Sequence, residues 1–480
     1  MIPMRILACA LIAAAAVSCT RRNPDACCNN EQQCSANGFD GITGCDTGKV
    51  CNPDGVCVAT QCSTSADCTS PGLPLCVGQL CVATCTADMD CDGIAGKPHC
   101  ASDGACVACT DDTQCTSANE PVCDATTSAC RACAADTDCA SGVCLAANGT
   151  CANADDVQFV ARSGIDTGTC PKLNPCATIP YALGQGSGAD RVIHISGGTY
   201  EVTSQITLDT FSGTFAGGDT VVSSGGSGSS GFYVTDGVVT FSSMTLDSIT
   251  VSGGKATLYA VDLTGVGMAN GGTLVADHST IDGNFGVEQS ANGSVLSSTV
   301  HGIVQCRDGV MDIERTLFDN ADLVSLLGAT ATIINNVFVT TATVTPILGF
   351  NDSSNADVEF NTIVNLSGTA AAAAPFNCEA AAVIVRNNVF AWDATVASDC
   401  AITYSLFDGS AAMSAGSGNI VGNASTFFAD EGNKDFHLGS ASPAIGAGDP
   451  ASTVTTDYDG NPRPNPAGSR PDIGAFESPQ

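Results

Sequence analysis

Lysine and arginine are scarce: 16 among 480 residues, against 49 Asp and Glu, for a formal net charge of −33. That deficit excludes binding driven by phosphate backbones or anionic headgroups, which repel a chain of this sign. Tryptophan occurs only once. Charged residues total 14 % while 44 % are hydrophobic, which excludes a highly charged disordered polymer. No apolar run approaches the roughly 20 residues a spanning helix needs; the alanines at 370–374 are too few. Cysteine is what the chain has in excess. Of 29, 22 fall between Thr20 and Cys151, about 17 % of that stretch. A density above roughly 8–10 % marks a disulfide scaffold made in an oxidising compartment. That argues against a cytosolic enzyme.

The first residues suggest how such a chain leaves the cytoplasm. Arg5 precedes the apolar run from Ile6 to Val17, and Ser18 follows; this has the length and flanks of a secretory signal. Ala16-Val17-Ser18-Cys19 resembles the lipobox of bacterial lipoproteins, with Ala16 where that family most often has Leu. The resemblance implies a signal peptide over 1–18, lipidation at Cys19 and a linker over 19–26. Thr20 after the cysteine resembles lipoproteins sorted to an outer membrane, and multiple acyl chains on one residue anchor stably. Outer membrane or cell surface is the expected location, with free secretion as the alternative.

Residues 27–151 read as a tandem array. Quartets begin at Cys62, Cys85, Cys109 and Cys133, and each opens Cys-x5-Cys with aspartates in the first loop. An earlier, longer copy uses Cys28, Cys34, Cys51 and Cys57, leaving Cys27 and Cys45 as a further pair. Units of about 24 residues bury too little to fold alone, so cross-links must replace a core. Cys-x2-Cys at Cys106–Cys109 and Cys130–Cys133 has the spacing of a zinc knuckle, but it falls at module junctions and histidine is nearly absent. Which cysteine pairs with which stays open. Asp88, Asp90 and Asp92, before Gly93, open like a calcium loop; His99 stands where an EF-hand has its glutamate. No cofactor is expected, with calcium at these aspartates as the alternative to solvated acidic turns, the simpler reading.

From Val157 the composition turns to Gly, Ser, Thr, Val and Ala, and β-branched alternation replaces any helical period. Closing apolar positions at Leu246, Leu263, Ile281, Val300, Phe318 and Phe338 lie 17–20 residues apart, with longer intervals later. Strands alone at that period predict an all-β fold: a coil of β-rungs stacked in parallel after a disulfide-rich stalk. Thr316, Asn336, Thr362, Asn388 and Ser405 align as a small polar column at a repeated bend. The following Leu317, Val337, Ile363, Val389 and Leu406 are expected to stack as an interior ladder. Cys170–Cys176 and Cys378–Cys400 are close enough in sequence to be bridged, and Cys306 is left as the odd, buried thiol.

Two flanks resemble known proteins. Phe159-Val-Ala-Arg-Ser-Gly164, Asn174-Pro-Cys-Ala-Thr-Ile179 and Ile193-His-Ile-Ser-Gly-Gly-Thr-Tyr200 are similar to the opening of pectin-lyase-like right-handed parallel β-helices, which implies that fold for the coil. Asp435-Phe-His-Leu438, Ser440-Ala-Ser-Pro-Ala444, Asp457-Tyr-Asp-Gly460, Arg463-Pro464 and Asp472-Ile-Gly-Ala-Phe-Glu477 resemble the terminal segment of bacterial surface proteins described as choice-of-anchor Q. The resemblance implies a coil over 157–430 and a C-terminal cap over 431–480. Asp459, Arg463 and Asp472 are expected as an ion-paired cap over the open end, since a solenoid needs one.

The fold hosts lyases, glycosidases and inert fibres alike, so it does not decide function. The Gly-His-Gly and Arg-x-Lys motifs of polygalacturonase-like enzymes are missing from 157–478. The best carboxylate constellation is Asp262, Asp277 and Asp282, with His278, His301, Glu314 and Arg315 nearby. Paired carboxylates can cleave glycosides when suitably spaced, but exposed rung positions carry polar residues in any case. Three functions follow as expectations. The leading one is a surface-anchored, non-catalytic adhesin or envelope scaffold that contacts an extracellular polysaccharide or surface protein, touching the membrane only through its lipid and binding no nucleic acid. The second is a polysaccharide lyase or glycoside hydrolase. The third is a calcium-dependent binding module using the acidic loops.

Overall fold

The computed structural model describes residues 49–479 apart from 52–55, 61, 64–66, 69–74, 78, 83, 93, 187, 189, 224–230, 322, 342–346, 352–353, 368–373, 379–381, 393–399 and 410–415. The signal segment, Cys19, the linker, and Cys27, Cys28, Cys34 and Cys45 lie outside the described residues. The chain divides into two compact units, one up to Arg131 and one from Ala132 to Gln480. No helix among the described residues is long and apolar enough to cross a membrane.

Each described cysteine quartet follows one scheme. The first sulfur bonds the third and the second bonds the fourth: Cys62–Cys76 with Cys68–Cys81, Cys85–Cys100 with Cys91–Cys106, and Cys109–Cys123 with Cys115–Cys130. The third and fourth cysteines also face each other across a short antiparallel hairpin, as Cys100 faces Cys106. Crossed bonds over so small a hairpin constrain the unfolded chain where apolar burial cannot. The quartet Cys133–Cys144 and Cys139–Cys151 repeats the scheme within the second unit.

The second unit is a parallel β-helix. Among the described residues, twenty-nine strands form one wound sheet; the later turns lay down three short strands, while in the earlier ones strands such as Val238–Val251 and Asp262–Asn270 run on past a corner. One turn illustrates the rest: Thr273–Asp277 on the first face, Thr280–Ile281 on the second, Asn284–Glu288 on the third. Each pairs in parallel with its counterpart a turn later, Asn292–Leu296, Thr299–Val300 and Ile303–Arg307. Alternate side chains point inward. Leu274, Ala276, Ile281, Phe285 and Val287 of that turn are fully buried. Aromatic pairs stack along the axis, with Phe318 and Phe338 at 4.4 Å and Phe390 and Phe407 at 5.1 Å between ring centroids.

A single left-handed residue turns the first face into the second. Ala260, His278, Ser297, Arg315, Asn335, Phe360, Asn387 and Tyr404 occupy this corner with φ between 45° and 59°. The residue after each corner points inward and forms a ladder. Thr316 N–H donates to Asn336 Oδ1 at 2.9 Å, Asn336 N–H to Asn361 Oδ1 at 2.9 Å, and Asn361 N–H to Asn388 Oδ1 at 2.8 Å. Asn388 N–H then donates to Ser405 Oγ at 3.1 Å. The ladder satisfies amides that the tight corner removes from the sheet. Asn361, not Thr362, is therefore the member of this column, correcting the alignment by one residue.

The expected interior ladder is also corrected. Leu317, Val337, Thr362, Val389 and Leu406 share one register column, and the inward column is the next one, with Phe318, Phe338, Ile363, Phe390 and Phe407. The outward column is buried because the C-terminal segment runs back along the flank of the coil. Phe427, Phe428, Phe436, Ala444, Ile473, Ala475 and Phe476 pack on Val337, Val364, Val389 and Leu406. Ala475 N–H donates to Thr362 Oγ1 at 3.0 Å, and Asn335 Nδ2 to the carbonyl of Thr456 at 2.9 Å. The segment is thus a strap over the second face rather than only a plug in the open end. Gly474 is required there: φ is +98°, and a Cβ would meet Val389 Cγ2 at 2.7 Å.

At the other end, the quartet from Cys133 to Cys151 covers the first turn, with Val143 and Ala152 packed against Val157, Phe159, Val192 and Ala216. Cys170–Cys176 closes a short loop there, and Cys378 of the third face is bonded to Cys400. Cys306 is a free thiol, 1 % exposed. Burial pushes its pKa up to about 11.

Candidate functional site

The second face changes character along its length. Its outward column reads Thr245, Asp262, Thr280, Thr299 and then Leu317. The aliphatic part lies under the strap; the hydroxyl and carboxylate part is partly or fully exposed. Lys434 of the strap marks the border, 2.6 Å from Asp319.

The sequence-predicted carboxylates gather on and beside this open part without converging. Asp277 ends a first-face strand and bonds His278 Nδ1 at 2.8 Å; the His278 ring lies 5.4 Å from that of Tyr259 one turn earlier. Asp282 follows the second-face strand of the same turn and bonds His301 Nδ1, one turn on, at 2.7 Å. Asp262 stands exposed in the column, with no hydrogen-bond or ion-pair partner among the described residues. Glu314 and Arg315 pair with each other at 3.5 Å. Among the described residues, the only groups of three metal-ligand side chains within 4.8 Å of one another are cysteine trios. Those sulfurs are already bonded in pairs. The central outward column of the third face holds no charge, reading Thr250, Met268, Gly286, Gln305, Ser325, Gly349 and Asn377.

The acidic loops of the cysteine modules serve the backbone. Asp88 Oδ1 accepts from Cys100 N–H at 2.7 Å, as Asp112 does from Cys123 at 2.8 Å and Asp136 from Cys144 at 2.9 Å. Asp90 Oδ2 accepts from Thr86 N–H at 2.7 Å and Ala87 N–H at 3.0 Å. The amide of Cys100, then His99, holds the Asp88 carboxyl below its ordinary pKa. Burial opposes ionisation of Asp90, and the Thr86 and Ala87 donors outweigh it. Asp92 is exposed. These carboxylates point at separate amides rather than at one shared centre.

Two charged clusters fasten the strap: Arg463 and Asp472 of one were expected as an ion-paired cap, whereas Glu359 with Arg386 was not singled out from the sequence. Glu359, 1 % exposed, accepts from Arg386 and Asn387 at 3.0 Å each and from Ser452 Oγ of the strap at 2.6 Å. Arg386 also lies 3.7 Å from Asp449. The signal was register: Glu359 and Arg386 share a column. The second cluster is Arg463 with Glu477 at 3.5 Å, both side chains fully buried. Arg463 donates to the carbonyls of Asp472, Gly474 and Ala475. Asp457 accepts from the amides of Asp459, Asn461 and Glu477. Burial draws the Arg463 pKa down to about 10 against the pull of Glu477, Asp457 and Asp472. Burial raises that of Glu477. The geometry is that of a locked turn, and no oxygen of Asp457 is left to face a ligand alone. Tyr404 packs near Arg470, whose guanidinium carbon lies 5.9 Å from its ring centroid.

No family model matches this sequence, and no curated protein does. Among solved structures, a crystal structure of pectate lyase Pel9A aligns with 67 % of this chain and 96 % of its own length, at 16 % identity and a TM-score of 0.48. The parallel β-helix itself rests on the strand pairing described above.

Proposed function

We propose that the chain is an exported scaffold or adhesin, held at an outer membrane or cell surface through a lipidated Cys19, whose coil contacts extracellular glycans without cleaving them. The cysteine content and the N-terminal pattern support export and anchoring; the C-terminal resemblance to surface proteins agrees with them. The observation that carries the non-catalytic part is the state of the carboxylates. Asp277 and Asp282 are each committed to a histidine, and Glu359 and Glu477 are buried in the fastening of the strap. A glycosidic acid and base must instead face one shared space with pKa values set apart. From residue 152 onward the chain carries 33 acidic and 10 basic residues, which disfavours polyuronate substrates further.

One observation favours a second reading. Asp262 and Asp282 are exposed on neighbouring turns of one face, as the register of Asp262 with Thr280 requires. A hydrolase using that pair would act on neutral glycans. A panel of purified polysaccharides, with and without EDTA, separates the readings. Binding without turnover supports the scaffold, release of new ends supports the hydrolase, and EDTA-sensitive binding supports calcium at the acidic loops.

A further inference from the structure

Where the coil begins, a cavity of about 370 Å3 opens between the short helix Ile179–Leu183 and the strand Gly198–Glu201. It lies within the roughly 300–1,000 Å3 range of small-ligand pockets. Its apolar lining is Ile179, Pro180 and Val202, with Ile179 and Val202 buried. Arg162 and Glu201 line it from opposite signs of charge, both exposed, and neither has an ion-pair partner among the described residues. The hydroxyls of Thr199, Thr203 and Ser204 also line it without a partner among those residues.

The walls are set independently of any ligand. Thr178 Oγ1 is bound to Asp166 at 2.9 Å, and Tyr200 OH to the carbonyl of Ser196 at 2.9 Å. Gly198 adopts φ +128°, and a Cβ there would meet Arg162 Cδ at 3.1 Å. The glycine thereby lets the arginine stem lie against the strand.

The polar chemistry specifies the ligand. A guanidinium only donates hydrogen bonds and a carboxylate only accepts them, whereas a hydroxyl does both. Adjacent hydroxyls on one ring can therefore meet Arg162 and Glu201 together. The two charges cancel locally, so a carboxylated ring gains no net attraction, and a neutral ring that meets both groups through its hydroxyls is favoured. The apolar floor suits the C–H face of a pyranose. We propose that this cavity binds one neutral pyranose, the terminal residue of a glycan. The inference rests on the glycan-contact reading above and names a site for it distant in sequence from Asp262 and Asp282.

The test uses the full chain with methyl hexosides of the gluco, galacto and manno series as probes, beside galacturonate, read by saturation-transfer NMR and calorimetry. At least one neutral hexoside binds, and galacturonate binds more weakly than methyl galactoside. Arg162→Gln and Glu201→Gln each weaken binding about tenfold or more, the loss expected for a hydrogen bond to a charged group, while Asp282→Asn leaves it unchanged. Circular dichroism of the variants confirms that the coil is retained. Failure of every neutral hexoside to bind, or binding indifferent to both substitutions, overturns the proposal. If polysaccharides still bind in that case, the scaffold reading survives; if they do not, both fall.

Discussion

Arg463 of the strap lies 4.0 Å from the ring centroid of Phe360, which turns a corner of the coil. The contact joins residues about a hundred positions apart and closes the buried cluster that holds the strap in place. Arg463→Ala leaves Glu477 buried without its cation, and breaking such a pair from one side costs about 3–5 kcal/mol. Arg463→Lys is not conservative, because an ammonium cannot reproduce the planar fork to three carbonyls. Thermal unfolding and limited proteolysis should show both variants weakened, with cleavage beginning within 424–477.

The ladder behind the corners gives a second prediction. Asn361 Nδ2 donates to the carbonyls of Ile333 and Glu359 and to Asn388 Oδ1, while its Oδ1 accepts from Asn336 N–H. Asn361→Ala strands several buried groups, each costing about 1–3 kcal/mol. Thr362→Val, one residue away on the outward side, removes only the acceptor for Ala475 N–H and should cost less. Denaturant melts of the two variants rank the ladder against the strap.

The pH dependence of the strap follows from His437. Its Nδ1 lies 2.6 Å from Asp435 and its Nε2 2.8 Å from Asp459, so both nitrogens donate only when the ring is protonated. Burial opposes the charge, but the bonds to Asp435 and then Asp459 prevail and raise the pKa above 6.5. The bond to His437 lowers that of Asp435 below 3.8. The histidine contribution is therefore complete below about pH 6.5 and is lost as pH rises through the raised value. The aspartate contribution is present above about pH 3.8 and is lost as pH falls through the lowered one. Amide protection within Asp435–Leu438, taken relative to intrinsic exchange at each pH, should be greatest between these limits and fall on the alkaline side, and His437→Asn should remove that alkaline fall.

The modules and turns were legible because cysteine spacing and strand period repeat in the chain itself. The path of the strap was not. The outward Leu317, Val337, Val389 and Leu406 look like a core column when each turn is taken alone. Their neighbours held the signal: Leu317-Phe318, Val337-Phe338, Val389-Phe390 and Leu406-Phe407 are adjacent apolar pairs that break the alternation of a half-exposed strand. Such pairs mean burial on both faces. The slip from Asn361 to Thr362 arose because the later turns carry longer loops, so spacing alone no longer sets register. For the candidate site, the sequence brought Asp262, Asp277, His278, Asp282 and His301 to one region, but which carboxylates were engaged depended on turn-to-turn pairing.

The measurement closest to the central claim is incubation of purified chain with neutral and uronic polysaccharides, following new reducing ends, unsaturated products and bound polymer together. The account predicts bound polymer with no products above the blank, and no change in products on Asp262→Asn or Asp282→Asn. Products that accumulate with the wild-type chain and vanish with either substitution would contradict it.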